Sequence, residues 1–276
     1  MDAVILSHEG TIRLGAFAGI LLLVAVAERL WPRRRPSQPR LRRWPANFAI
    51  VVIDTAVLRL LFPLLAVGAA SLAAERGWGL FNQLAWPGWL ELILAVLAFD
   101  ALIYWQHRLF HAVPLFWRLH KMHHADLDFD VSTALRFHPV EIVLSMLIKI
   151  AAVMLLGPAA VAVLLFEVLL NGLAMFNHGN LRLPATLDRG LRRVLVTPDF
   201  HRVHHSVRPE ETNSNYGFNL TWWDHLFGSY RAQPADGHSG MRIGLEAYRD
   251  PVCSNLGWML MLPFRGSEDS QGRQTT

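Results

Sequence analysis

Thirteen histidines and a single cysteine stand in this 276-residue chain. Eight of those histidines fall in three short stretches: His107-Arg-Leu-Phe-His111, His120-Lys-Met-His123-His124 and His201-Arg-Val-His204-His205. Neutral imidazole binds iron, zinc and copper well. Eight imidazoles exceed the coordination shell of one ion, so the pattern implies two. Cys253 alone excludes an internal disulfide and any cysteine-based zinc or iron–sulfur site. The His-Glu-x-x-His signature of a zinc protease is absent from the sequence. A histidine-rich pair of ions suits a redox metal.

The spacing says what must position these groups. Residues three and four apart share a helix face. His107 and His111 are therefore expected to point together, and His120, His123 and His124 to one side, with the third stretch behaving likewise. Pro114 is placed to open the helix that carries the second stretch. Thr197-Pro198-Asp199 reads as an N-cap, a proline at the first helical position and an acid in the first turn. The second and third stretches repeat one pattern, His-basic-apolar-His-His.

The remainder of the chain is membrane-like. Hydrophobic residues make up 53% and charged residues only 17%, against roughly 25% in an average soluble domain. Apolar runs lie at about 14–27, 47–74, 89–104, 142–156 and 161–176. Trp86, Trp89 and Trp105 flank the third run as interfacial anchors. The last two runs are short and joined by Gly157-Pro158, which suggests a tilted or re-entrant hairpin. Seven arginines between Arg29 and Arg43 follow the first run. They fit a cytoplasmic loop after an uncleaved first span, not a signal peptide. Beside an apolar run they argue for topology, not for nucleic-acid binding. Counting crossings then puts every histidine stretch on the cytoplasmic side. The expected fold is an all-α integral membrane bundle of four to five spans with a cytoplasmic histidine-rich helical cap. Its expected divisions are 1–88 (N-terminal spans and basic loop), 89–235 (catalytic domain) and 236–276 (C-terminal tail). Polar residues from Arg265 onward are expected to be disordered. The Ala-, Leu- and Arg-rich composition fits a bacterial inner membrane.

Longer stretches around the histidines carry a resemblance. They are Asp100 to His111, Leu119 to His124, Leu135-Arg-Phe-His138-Pro-Val-Glu141, Asn177-His178-Gly-Asn180, Thr197 to Ser206, Asn215-Tyr-Gly and Trp223 to Gly228. In this order and spacing the chain resembles the fatty acid hydroxylase superfamily, the sterol desaturase-like branch of membrane di-iron enzymes, over about residues 95–230. The resemblance implies two irons held by His107, His111, His120, His123, His124, His201, His204 and His205, with His178 as a ninth ligand. His138 and Asn180 are possible extra ligands. Asp100 is expected either to orient a ligand histidine or to pair with Arg108. Some relatives carry another histidine four residues after the His178 position, where this chain has Arg182. His8, His225 and His238 are taken as structural or exposed.

The resemblance also implies O2 as co-substrate and an unactivated C–H bond of a lipid or sterol-like molecule as the target. Hydroxylation is favoured over desaturation, and zinc can replace iron in purified protein. Electrons would come from a separate reductase with a ferredoxin or cytochrome b5-type protein. Two other classes remain as alternatives. A haem-type electron carrier would need histidine pairs inside the apolar runs, and these lie at their ends. A metal transporter or sensor would carry a less regular histidine-rich loop.

Overall fold

A computed structural model describes residues 2–85 and 87–265. Trp86 and the polar stretch 266–276 lie outside the described residues, so the expectations placed on them do too. The described chain is helical, with isolated bridges such as Pro32 with Leu181 and no β-strand among the described residues. Its main helices are α1 (Glu9–Leu30), α2 (Arg40–Leu61), α3 (Ala66–Arg76), α4 (Gly88–Ala112), α5 (Pro114–His124), α6 (Pro139–Leu156), α7 (Ala160–Asn177) and α8 (Pro198–His204).

Five segments are long and apolar enough to cross a membrane: α1, the stretch Arg40–Gln83, α4, α6 and α7. Leu14, Leu22, Leu23, Val52, Leu60, Leu147 and Leu155 project from them exposed. Lipid tails are as apolar as leucine, so such faces need no protein partner there. Trp31 and Trp105 at one end of the bundle, and Trp78 and Trp89 at the other, are also exposed, as interfacial tryptophans are.

The second apolar run differs from expectation. It is not one helix but α2 and α3, broken at Phe62, whose backbone is extended (φ −117°, ψ 111°). Pro63 is the cause, because its ring disfavours the helical region for the residue before it. The last two runs become helices of 18 residues each, about 27 Å long at 1.5 Å per residue, close to the roughly 30 Å hydrocarbon core.

The two ends of the bundle are distinct. At one end the α6–α7 turn meets the loop after α3. Gly157 has φ +63° and Gly79 φ +91°, and a Cβ on Gly79 would lie 2.2 Å from the Gly157 nitrogen. Nearby, the Ala159 N–H donates to Glu91 at 2.7 Å. The opposite end gathers the C-termini of α1, α4 and α7 and the N-termini of α2 and α6. Every histidine stretch is there.

Between the ends, Phe99 of α4 stacks on Phe166 of α7 at 5.2 Å, within a core that includes Ala70, Met146 and Val153. Lys149 of α6 and Arg13 of α1 both donate to Glu167 of α7. Charges inside a span are costly alone, and this cluster ties three helices together. At the histidine end a buried polar layer takes over. The Arg43 guanidinium grips Asp126 at 2.6 and 2.7 Å and Asp130 at 2.7 Å. Burial alone would raise the Asp126 carboxyl, but the charge of Arg43 and its hydrogen bonds prevail and hold it at about 2. Arg136 donates to the Met122 and Cys253 carbonyls. The C-terminal part packs back on this layer, with Trp258 and Met259 against Ala46 and Ile50 of α2.

Candidate metal centre

Four structural pieces deliver nine histidines to one buried place. The last turns of α4 carry His107 and His111. Pro114 then opens α5, which carries His120, His123 and His124. His178 is the C-cap of α7. Thr197 caps α8 through its side chain, with Pro198 in the first turn, and α8 presents His201 and His204, with His205 at its C-cap. All nine are buried.

The nine divide into two groups. His107, His111, His120, His124 and His204 form one; His123, His178, His201 and His205 form the other. Within each group the ligand nitrogens lie within 4.8 Å of one another. The expectation that each stretch serves one side is therefore corrected. His120 and His124, four apart, join the first group while His123 joins the second. On α8 the arrangement is reversed: His201 and His205 join the second group and His204 the first. One residue of offset turns a helix by about 100°, enough to aim the odd histidine at the neighbouring group. The repeated sequence pattern thus becomes a reciprocal exchange between two sites.

The outer nitrogens define the inner ones. His107 Nδ1–H donates to the Tyr216 carbonyl at 2.7 Å, and His120 Nδ1–H donates to Glu141 Oε1 at 2.7 Å. With Nδ1 carrying the hydrogen, each Nε2 of a neutral ring is a bare lone pair. These two Nε2 atoms face each other at 3.2 Å. In the second group His178 Nδ1–H donates to the Ala174 carbonyl at 2.8 Å, and its Nε2 stands 3.1 Å from those of His123 and His201. Converging lone pairs repel, and a cation between them reconciles them. The buried His111 Nε2, His204 Nε2 and both nitrogens of His124 and His205 have no hydrogen-bond partner among the described residues. Burial, then the neighbouring imidazoles, push His123, His124, His201 and His205 well below the ordinary histidine range. His204 is pushed the same way by burial and by His107 and His111. Burial lowers His178 to about 4 although the Ala174 carbonyl opposes it. Neutral imidazoles are the metal-binding form, and the donor set fits two transition-metal ions.

The acceptors sit largely on one loop. Ser214 O takes the His204 Nδ1 hydrogen at 2.7 Å, and Asn213 Oδ1 lies 3.4 Å from His111 Nδ1. Asn215 has φ 54°, a conformation asparagine tolerates, and its amide donates to the Phe200 and Arg231 carbonyls. Asp224 accepts from the Tyr216 and Gly217 N–H groups at 2.8 and 2.7 Å.

Other expected residues lie elsewhere. Asp100 bonds neither a histidine nor Arg108; it accepts from the Asn219 and Leu220 N–H groups and from Trp223 Nε1. It pins the chain just beyond the acceptor loop. His138 stands outside both groups, capping α6 through Nδ1, with its Nε2 3.2 Å from the Leu260 carbonyl. The Asn180 side chain is bonded to the backbone of Arg34. Arg182 is exposed, because α7 ends at Asn177 and the chain turns away. His225 packs on Tyr230 and His238 lies 3.6 Å from Asp199. The residues that reading the sequence missed are Glu141, Asn213, Ser214 and Tyr216. Glu141 offered a signal, as an acid in the first turn of an apolar helix; the carbonyl acceptors offered none.

An all-helical membrane bundle with two buried imidazole groups at one end defines a class of histidine-rich membrane proteins. The fatty acid hydroxylase family model matches residues 92–229, and the chain belongs to that family. It is 32% identical to human alkylglycerol monooxygenase over 57% of this chain and 34% of that protein. It is 26% identical to the ornithine lipid hydroxylase OlsE of Rhizobium tropici over 79% of this chain and 66% of that protein. With Arabidopsis thaliana methylsterol monooxygenase 2-2 the identity is 27%, over 58% of this chain and 61% of that protein. The chain spans about a third of the length of the alkylglycerol monooxygenases it matches. No solved structure matches it.

Proposed function

We propose that this protein is a membrane-bound, O2-dependent di-iron oxidoreductase that hydroxylates an unactivated C–H bond of a lipid or sterol-like molecule. One observation carries the reading: buried Nε2 lone pairs of His107 and His120 face each other at 3.2 Å while their Nδ1 hydrogens are engaged outward. His107, His111, His120, His124 and His204 would hold one iron, and His123, His178, His201 and His205 the other. Bound iron supplies the activation of O2 that C–H cleavage requires. The chain's own residues hold the ligands in one tautomer and exclude water. One oxygen atom goes to the lipid and the other leaves as water, so electrons must be supplied.

A separate donor, a reductase with a ferredoxin or cytochrome b5-type protein, fits that need. Arg182, Arg189 and Arg193 are exposed in the segment between His178 and α8 and offer a basic face to an acidic partner. The basic loop between α1 and α2 supports a cytoplasmic site in a bacterial inner membrane. Residues 89–235 would be the catalytic unit, 1–88 its membrane anchor and 236–276 a C-terminal tail. A lipid substrate accords with the named activities of the relatives. Desaturation would use the same ligands, so the product decides between them.

The test uses the full chain in detergent, reconstituted with ferrous iron, then given lipid extract, a chemical reductant and 18O2. Retained iron and an 18O-labelled hydroxylipid are expected. A new double bond without label would move the reading to desaturation. Failure to retain any metal would overturn it.

A further inference from the structure

Glu141 is the one carboxylate among the described residues that bonds a histidine of either group. The other outward acceptors are neutral: the carbonyls of Tyr216, Ser214 and Ala174 and the amide of Asn213. Its Oε1 lies 2.7 Å from His120 Nδ1, and the side chain is almost wholly buried. Oε2 has no hydrogen-bond partner among the described residues, so His120 is the one group that carboxylate engages. Glu141 stands in the first turn of α6 after Pro139, where the helix N-terminus favours an anion. A hydrogen bond to a charged acceptor is roughly twice as strong as a neutral one. A carboxylate behind a ligating imidazole raises the basicity of its inner nitrogen.

From this we infer that Glu141 is a positioning residue that makes the two metal sites unequal: it strengthens His120 as a donor and so tightens the ion in the five-histidine group alone. The inference rests on the proposal that both groups hold metal. Glu141→Gln keeps the shape and an acceptor oxygen but removes the charge. Glu141→Asp keeps the charge on a shorter arm.

The experiment is ferrous-iron binding to the full chain in detergent, by chelator competition and by Mössbauer spectroscopy of 57Fe. In E141Q one of the two irons should bind about 10- to 100-fold more weakly. One of two spectral components should shift and the other stay fixed, with E141D falling between wild type and E141Q. Asn213→Asp, placing a carboxylate behind His111 in the same group, should move the same component the opposite way; it also serves if E141Q cannot be purified. Equal weakening of both irons, an equal loss in E141D and E141Q, or no change in either spectrum would overturn the inference. A wild type that retains no iron would instead remove the metal reading beneath it.

Discussion

The two histidine groups are supported by different materials. Four of the five imidazoles in the larger group have a hydrogen-bond acceptor behind them: Tyr216 O, Asn213 Oδ1, Glu141 and Ser214 O. In the smaller group only His178 has one among the described residues, where the Nδ1 atoms of His123, His201 and His205 have no partner. Phenylalanine rings pack against these imidazoles. Phe137 stacks on His123 at 4.6 Å and 11°, and Phe129 lies 5.4 Å from His178 and 4.9 Å from His205. Hydrogen bonds fix a ring's tautomer and angle; aromatic packing fixes its plane and leaves its electron density alone. The larger group has aromatic neighbours too, Trp117 at 4.9 Å from His111 and Phe218 at 5.1 Å from His107. The contrast teaches that one site is braced by hydrogen bonds as well as packing and the other mainly by packing, within a single set of helices.

The sharpest test removes one ligand from each side. His204→Ala and His205→Ala are neighbours in sequence but belong to different groups. Each should leave iron in only one group and abolish turnover by at least about a hundredfold, since a misplaced site loses roughly that much. Iron analysis with Mössbauer spectroscopy should show a different component missing in each variant. Loss of the same component would break the division into groups.

A large but indirect effect is expected from Arg43→Leu. It leaves Asp126 buried without its paired cation and Asp130 with Arg40 at 4.0 Å, and an uncompensated buried carboxylate typically costs about 3 to 5 kcal/mol. Because that loop carries Phe129, the four-histidine group should lose metal first. Thermal denaturation and metal content together check the order.

Acid should act on both groups in one direction. His178 titrates at about 4 in the fold and near 6.5 when unfolded. Between those values the unfolded chain takes a proton that the fold refuses. Stability is therefore highest above about pH 6.5 and falls as the pH drops toward 4, by about 1.4 kcal/mol per unit for each such histidine. Melting of the metal-free protein at about pH 7.5 and about pH 5.5 should show the lower midpoint in acid. A higher midpoint in acid would contradict the neutral, buried imidazoles.

Phe129→Leu should have the smallest effect, about 1 kcal/mol on stability. It should weaken iron in the four-histidine group and spare the other. Chelator competition reads this, and equal weakening would dissolve the comparison.

Much of the site was legible because helical spacing is a property of sequence. The three stretches, the Pro114 start of α5 and the Thr197 cap of α8 could be read directly. The partition into five and four could not. Whether His123 or His124 faces a given ion depends on how α5 and α8 lie against each other, and that is set by long-range packing. The carbonyls of Ser214 and Tyr216 were invisible because any residue carries a carbonyl. The spans were legible from apolar runs, but the run ending near Ala74 concealed a break. There, the geometric effect of Pro63 on Phe62 outweighed continuous hydrophobicity.

The glycine contact at the far end sets a tolerance for the whole molecule. With Gly79 and Gly157 backbone to backbone, the hairpin of α6 and α7 has a hard stop. His178 rides the end of one arm and Glu141 the start of the other. A slip of one residue along α7 would displace His178 by about 1.5 Å, a large fraction of the 4.8 Å span within which its group's nitrogens lie. That remote turn works as a gauge block, setting from across the membrane the height at which the imidazoles meet.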